Sequence, residues 1–146
     1  MGKMTRTVII GVLALIVSAV GAGYGLFSGY FDRGQFKVEQ AQWSPSKKVA
    51  LVAKRSDHES LNSDQYFVLV ADHSLTAREL RHAYYNHEVL FRAGSSCLTV
   101  HWDGPHSLVV TCGDASIKSD QIAVQKGESG DVMVSYRNIP IGSSRE

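Results

Sequence analysis

The chain has 146 residues, 44% of them apolar and 20% charged, and its formal net charge is +1. This length suits one folded domain, and the composition excludes disordered, collagen-like and coiled-coil chains, each of which needs a biased composition. From residue 34 onward the chain carries 12 Lys and Arg against 13 Asp and Glu. This balance predicts no nucleic-acid partner, because binding to a phosphate backbone requires a basic surface.

An uncharged apolar run of twenty residues lies close to the N-terminus, at 8–27. As a helix it is about 30 Å long, which matches the hydrocarbon core of a bilayer. Residues 1–33 are therefore predicted to form a cytoplasmic stub, a transmembrane signal-anchor and a short linker. Lys3 and Arg6 precede the run without any acid, so the positive-inside rule places the N-terminus in the cytoplasm and residues 34–146 in the periplasm or outside the cell. A cleaved signal peptide is the alternative, since small residues near Ala19 and Ala22 also fit one.

Residues 34–146 change to short β-rich runs separated by turn residues, which is typical of an antiparallel all-β domain. We expect a single small antiparallel β-sheet, a sandwich or an open barrel, connected as a meander. The predicted strands lie at residues 36–43, 48–55, 65–71, 75–85, 89–92, 97–102, 107–112, 117–125 and 131–137. Within 75–85, Thr76 and Glu79 fit a capping box flanked by Leu75 and Leu80, so a short helix is the alternative there.

The two cysteines stand at either end of a predicted hairpin, CLTVHWDGPHSLVVTC. Counting outward from the turn at 103–106 gives three facing pairs: Trp102 with Ser107, Val100 with Val109, and Cys97 with Cys112. This register predicts a disulfide bond, which an exported domain would form under oxidising conditions. A buried pair of thiols is the alternative; a redox pair is not indicated, because the C-x-x-C spacing is absent.

Two tryptophans begin similar segments, WSPSKKVALVAKRSD at Trp43 and WDGPHSLVVTCGDAS at Trp102. Each segment predicts a strand, a four-residue turn and a second strand. This pattern resembles the SP-D-G-K repeat of TolB-like β-propeller blades, although Lys47 stands where the repeat has glycine. Residues 43–112 contain, in order, SP-x-K, the aromatic and apolar strand QYFVLVAD, the Tyr-rich segment HAYYNHE and W-D-x-x-x-S-L-V-V. In this order they resemble a bacterial family of small membrane-anchored or lipoprotein domains of unknown function. The resemblance implies architecture and location only, and two such units are too few to close a propeller.

Five aromatic residues of the predicted domain are candidates for a binding surface: Trp43, Tyr66, Tyr84, Tyr85 and Trp102. Aromatic rings of this kind dock peptides or glycans. Packing in the core is the alternative, because aromatic residues are also favoured in strands and at hairpin ends.

No motif with a known catalytic mechanism occurs in the chain, so neither a catalytic residue nor a cofactor is predicted. Two histidine pairs, His82 with His87 and His101 with His106, have a spacing of five, which suits neither one strand face nor one helix face. We therefore expect no metal site. The sequence favours a membrane-anchored, non-catalytic module that binds a protein partner or serves the envelope; the alternative is a small envelope hydrolase or metal-binding protein that uses the histidines. No oligomeric state is indicated.

Overall fold

The structure is a computed structural model that describes residues 2–27, 34–57, 64–113 and 117–142. The chain divides into two compact units, Met1–Asp32 and Arg33–Glu146. The predicted linker lies largely at residues 28–33, outside the described residues.

The first unit is a single helix, α1 (Gly2–Phe27). Its stretch Thr7–Tyr24 has a mean hydropathy of 2.2 and is long and apolar enough to cross a membrane. The large apolar side chains described in it are all exposed, from Val12 at 51% to Tyr24 at 77%. Ser18 donates a hydrogen bond of 2.8 Å to the carbonyl of Ala14 four residues earlier, so its hydroxyl is satisfied within the helix. The predicted apolar helix is thus present, and it is apolar on all sides, as a helix surrounded by lipid would be.

The second unit is rich in β-structure. In chain order its described elements are β1 (Gln35–Trp43), β2 (Val49–Ser56), β3 (Gln65–Ala71), α2 (Ala77–Tyr85), β4 (Phe91–Ala93), β5 (Leu98–Gly104), β6 (Ser107–Cys112), a 3-10 turn (Ser119–Gln121), β7 (Ile122–Gln125), β8 (Glu128–Ser129) and β9 (Val132–Arg137).

The strands form two sheets. Of the predicted forms, a single sheet, a sandwich or an open barrel, the single sheet is therefore wrong, and the predominance of β-structure is confirmed. The five-stranded sheet has the order β1-β2-β3-β4-β7 and is antiparallel throughout. The four-stranded sheet has the order β5-β6-β9-β8. It is mixed, because β6 and β9 are parallel. A parallel pair needs a long crossover connection, and the residues between β6 and β9 provide it. In a simple meander every neighbouring pair of strands is antiparallel, so the predicted meander is wrong for this sheet.

The main apolar core contains side chains from both sheets. Val52, Val68 and Phe91 of the five-stranded sheet belong to it, as do Val100 and Leu108 of the four-stranded sheet. A second core covers the opposite face of the five-stranded sheet, where α2 packs. Its buried members are Phe36, Val49, Leu51, Ala53, Phe67, Leu69, Leu80, Ala83 and Val89. The five-stranded sheet is therefore covered on both faces.

The segment predicted as a strand at 75–85 is the helix α2, so the helical alternative is confirmed. The hydroxyl of Thr76 accepts from the backbone N–H of Glu79 at 3.3 Å, and the Glu79 carboxylate accepts from the backbone N–H of Thr76 at 2.7 Å. Leu80 and Ala83, three residues apart, share the buried side of the helix. The capping box and this spacing override the β-propensity of Tyr84 and Tyr85.

Two further strand predictions differ from the structure. The segment predicted as a strand at 117–125 is extended only at β7 (Ile122–Gln125), because the 3-10 turn precedes it. The hairpin of β5 and β6 forms, but its register is offset by one residue. Trp102 faces Leu108, Val100 faces Val110, and Leu98 faces Cys112. The cause is an irregularity between Trp102 and Gly104, which adds one residue on the β5 side of the turn.

Side chains join the edge strands β1 and β5, one from each sheet. The side-chain amide of Gln40 donates to the carbonyl of Val100 at 3.3 Å, and its oxygen accepts from the N–H of Val100 at 3.1 Å. The indole N–H of Trp102 donates to the carbonyl of Gln42 at 2.8 Å. The Gln40 side chain thus bonds the backbone of Val100 as a residue of a neighbouring strand would. It satisfies backbone groups that an edge strand would otherwise leave without a protein partner.

A candidate binding groove at the end of helix α2

The chain turns sharply where α2 ends. Asn86 caps the helix with its N–H bonded to the carbonyl of His82, and His87 adopts a left-handed conformation with φ of 60°. The N–H of Glu88 then returns to the carbonyl of Ala83 at 3.2 Å. This turn directs the chain into β4 and leaves Tyr84 and Tyr85, both half-buried, beside the sheet.

Arg92 is brought to this place by the alternation of β4. Its neighbours Phe91 and Ala93 are fully buried in the core shared by the sheets, so Arg92 extends from the opposite face. There the Arg92 guanidinium lies 5.1 Å from the centre of the Tyr84 ring. The guanidinium of Arg55 lies 5.9 Å from the same ring and pairs with Asp57 at 3.8 Å. Tyr84 is therefore a stacking surface for cations.

Lys126 is held by its backbone as well as by its side chain. Its N–H donates to the carbonyl of Leu90 at 2.8 Å, and its carbonyl accepts from the hydroxyl of Tyr136 at 2.5 Å. Burial raises the pKa of Tyr136 to about 12, so this hydroxyl remains a donor at neutral pH. The ammonium of Lys126 donates to the carbonyl of His87 at 2.5 Å. The ammonium group has three donors, so further ones remain for a ligand.

These residues line one groove with a volume of about 210 Å³, which we call the tyrosine groove. Its lining consists of Tyr84, Tyr85, His87, Val89, Arg92, Val124 and Lys126. No acidic residue belongs to the lining, and within the described part of the chain neither Arg92 nor Lys126 has a carboxylate within 4 Å. The groove therefore combines apolar walls with cations that lack a counter-charge.

The groove lies beside the part of the sheet that α2 does not cover. The side chains that pack under α2 come from β1, β2 and β3. The face of β4 and β7 is left beside the last turn of the helix, where Arg92 and Val124 face each other across the two strands.

A second groove lies along the first part of α2, and its charge is different. Its charged lining residues carry both signs, with Arg78 beside Asp72, Glu79 and Glu88. The Glu79 carboxylate is already bound by the backbone N–H and the hydroxyl of Thr76 and by His73, and these contacts lower its pKa to about 2. Charges that neutralise one another leave less for a ligand, so the tyrosine groove is the better candidate.

The five aromatic residues predicted from the sequence do not form one surface. Tyr84 and Tyr85 line the tyrosine groove, with their ring centres 5.2 Å apart. Tyr66 and Trp102 are half-buried and pack against the core between the sheets. Trp43 is 54% exposed at the end of β1. Only the two tyrosines therefore share a candidate site.

Cys97 and Cys112 form a disulfide bond, as the sequence predicts. Their Cα atoms are 4.8 Å apart, although the register places Leu98 rather than Cys97 opposite Cys112. The N–H of Gly113 donates to the carbonyl of Cys97, which extends the pairing beyond the strands. The bond joins the start of β5 to the end of β6, and Cys112 is 1% exposed in the core.

The histidines do not assemble a metal site within the described residues, where no group of three His, Cys, Asp or Glu is arranged to hold an ion. His106 lies 2.9 Å from Asp131, which also pairs with Lys48, and His82 bonds the side chain of Asn86. His101 is exposed on β5. His73, His82 and His106 thus have separate local side-chain contacts, and their arrangement supports no hydrolytic or metal chemistry.

Arg92 and Lys126 are not among the site residues predicted from the sequence, although one sequence signal for Arg92 exists. In Phe91–Ala93 a charged residue stands between two apolar ones, which places it on the opposite face of a strand. That this face is bordered by α2 follows only from the tertiary structure. Lys126 has no local signal, because Tyr136 and Leu90, which hold it, are distant in the chain.

Comparison with known proteins adds no relative. The chain matches no family model, and neither the curated proteins nor the solved structures include a match to it.

Proposed function

We propose that this chain is a single-pass membrane protein whose second unit is a non-catalytic binding module for a protein partner on the outer side of the membrane. The apolar helix α1 supports anchoring, and Lys3 and Arg6 ahead of it favour a cytoplasmic N-terminus. The disulfide between Cys97 and Cys112 supports an oxidising location for the second unit.

The tyrosine groove is the observation that carries the binding function. It offers two tyrosines, an arginine and a lysine on a framework of helix and strands. Tyrosine and arginine are among the residues that contribute most often to the binding energy of protein interfaces. A site supported by regular elements requires little ordering when a partner binds, so a larger share of the contact energy appears as affinity.

Site-specific photocrosslinking of the full chain in its native membrane tests this function. A photoreactive residue in place of Tyr85 should give one discrete adduct, whereas the same residue in place of Met133 should not. Met133 is the matched control, because it is 65% exposed on β9 and absent from the groove lining.

A variant that fills the groove completes the experiment. Val124→Trp should abolish the adduct at position 85, and Val124→Ala should retain it. Folding of both variants is checked by circular dichroism and by the resistance of the two cysteines to alkylation. Equal adducts at positions 85 and 133, or an adduct that a folded Val124→Trp chain retains, would contradict the proposal.

A further inference from the structure

We infer that the tyrosine groove binds an acidic segment of the partner, with a carboxylate held between Arg92 and Lys126. This inference rests on the proposed function and specifies the chemistry of the ligand. Among the residues that the structure describes, Arg92, Lys126 and His87 line the groove without any acid, while the groove beside the first part of α2 contains three acids. The missing counter-charge is therefore a local feature, and the charges of residues 34–146 nearly balance.

The two cations are held in place before any ligand binds. Arg92 lies in a strand paired on both sides, opposite Phe67 of β3 and Val124 of β7. Its guanidinium lies 5.1 Å from the centre of the Tyr84 ring. A guanidinium that stacks on an aromatic face can still present its planar edge to a carboxylate and bind it with two parallel bonds. Lys126 is fixed through its N–H, its carbonyl and its ammonium. Groups that are ordered in advance bind an anion at a smaller entropic cost.

The apolar walls favour a peptide side chain over a simple anion. Val89, Val124 and the two tyrosine rings line the groove beside the cations. A glutamate brings two methylene groups to these walls together with its carboxylate, whereas inorganic phosphate has no apolar part to bury. Tyrosine rings also accept the peptide backbone through stacking and through their hydroxyl groups.

The test measures peptide binding to the full chain in a neutral detergent by fluorescence anisotropy. The probe is a labelled octapeptide of alternating Glu and Ala, and the matched probe has Gln in place of Glu. We expect the Glu peptide to bind about tenfold more tightly at low salt, and the difference to shrink as salt screens the charges. Equal binding of the two peptides would overturn the inference.

Variants assign the binding to the groove. Arg92→Gln and Lys126→Gln should each weaken binding of the Glu peptide about fivefold or more, since each removes a charge-assisted contact. Arg137→Gln, an exposed change on β9 of equal charge, should leave the affinity unchanged. The inference is wrong if Arg137→Gln weakens binding as much as Arg92→Gln does.

Two competitors of the Glu peptide test whether the groove binds a phosphate group rather than a carboxylate. Inorganic phosphate, or a short-chain phosphatidylglycerol below its micellar concentration, should displace the Glu peptide only at far higher concentration than an unlabelled copy of the peptide does. Displacement at equal concentration would assign the groove to a phosphate group instead.

If the adduct at position 85 forms while the Glu and Gln peptides bind alike, the binding function stands and the acidic specificity fails. If no groove-dependent adduct forms, the proposed function itself fails.

Discussion

Lys47 lies in the turn between β1 and β2 in a conformation that favours glycine. Its φ is 63°, and its N–H bonds the carbonyl of Ser44 at 3.1 Å to close the turn. A side chain in the left-handed region crowds the following carbonyl, which costs about 1–2 kcal/mol for most residues. The resemblance to SP-D-G-K places glycine at this very position, and the backbone explains why that residue suits it.

We therefore predict that Lys47→Gly is more stable than Lys47→Ala by about 1 kcal/mol, because both lose the same long side chain and only glycine relieves the strain. Chemical denaturation of the two variants measures the difference. The same pair of changes at Lys37, an exposed residue within β1, serves as a control and should favour alanine. Equal stability of the two Lys47 variants would show that the turn is not strained.

Glu79 couples the start of α2 to pH. The backbone N–H and the hydroxyl of Thr76, and then His73, lower the pKa of the Glu79 carboxyl to about 2 from an ordinary value of 4.5. A carboxyl whose pKa is lowered by folding stabilises the folded state above its unfolded pKa and loses that effect as the pH falls through the folded pKa. The window for this loss is therefore pH 4.5 to about 2.

Glu79→Gln should lower the free energy of unfolding at pH 7 and flatten its decline between pH 4.5 and 2. Urea unfolding at a series of pH values gives the slope in both chains. Glu88→Gln, an exposed change just beyond α2, is the control that keeps the capping box intact. An undiminished slope in Glu79→Gln would mean that another group causes the acid sensitivity.

Among the elements, the β1 and β5 edges depend on Gln40 for their connection. The backbone N–H and carbonyl of Val100, a residue 2% exposed, both bond to its side chain. Removing that side chain leaves two buried backbone groups without their partner. Gln40→Ala is therefore expected to lower the free energy of unfolding by about 2 kcal/mol.

Gln42→Ala is the matched control for Gln40→Ala. Gln42 is exposed in the same strand and contributes only its backbone carbonyl to Trp102, so its truncation should change stability by less than about 0.5 kcal/mol. Equilibrium denaturation compares the two variants. Similar losses in both would show that strand propensity, rather than the connection of the two sheets, explains the effect of Gln40.

Local sequence signals predict the hairpins of this fold, but they do not predict the pairing of strands that are distant in the chain. The strand-turn-strand segments at Trp43 and Trp102 both form, because their turns and apolar alternation are encoded within a few residues. The offset register of β5 depends on one extra residue near Asp103, which no alternation pattern reveals. The parallel contact of β6 with β9 joins distant parts of the chain, so short-range propensity cannot specify it.

The candidate site also consists of residues that the sequence indicates and residues that only the tertiary structure reveals. Tyr84 and Tyr85 stand out in the sequence as aromatic residues, whereas their neighbours Arg92 and Lys126 are separated from them in the chain by the turn at His87 and by β4 to β7. Only the packing of α2 over part of the sheet brings them together. A composition of Tyr, Arg and Lys is common on protein surfaces, and it is their position around one groove that distinguishes them.

At the scale of the whole molecule, the apolar helix and the disulfide lead to one expectation about location. A reporter that is active only outside the cytoplasm, fused after Glu146, should be active, and the chain should resist alkaline extraction from membranes. Activity of a cytoplasmic reporter alone would reverse the orientation. Release of a chain that begins after about Ala22 would make the segment a cleaved signal peptide.

The disulfide provides an independent measure of the same location. The chain has two cysteines, and Cys97 and Cys112 close a loop of 16 residues including both ends, which restricts the unfolded chain. Protein taken from its native membrane should contain one linked peptide pair and no free thiol. The double variant Cys97→Ala, Cys112→Ala should still fold, because the two sheets keep their shared core, but should lose about 2–4 kcal/mol in the free energy of unfolding. Two freely alkylated cysteines together with an active external reporter would show that the bond does not form in an exported domain. The same thiols with an inactive external reporter would show that the domain remains in the cytoplasm, where reduction prevents the bond.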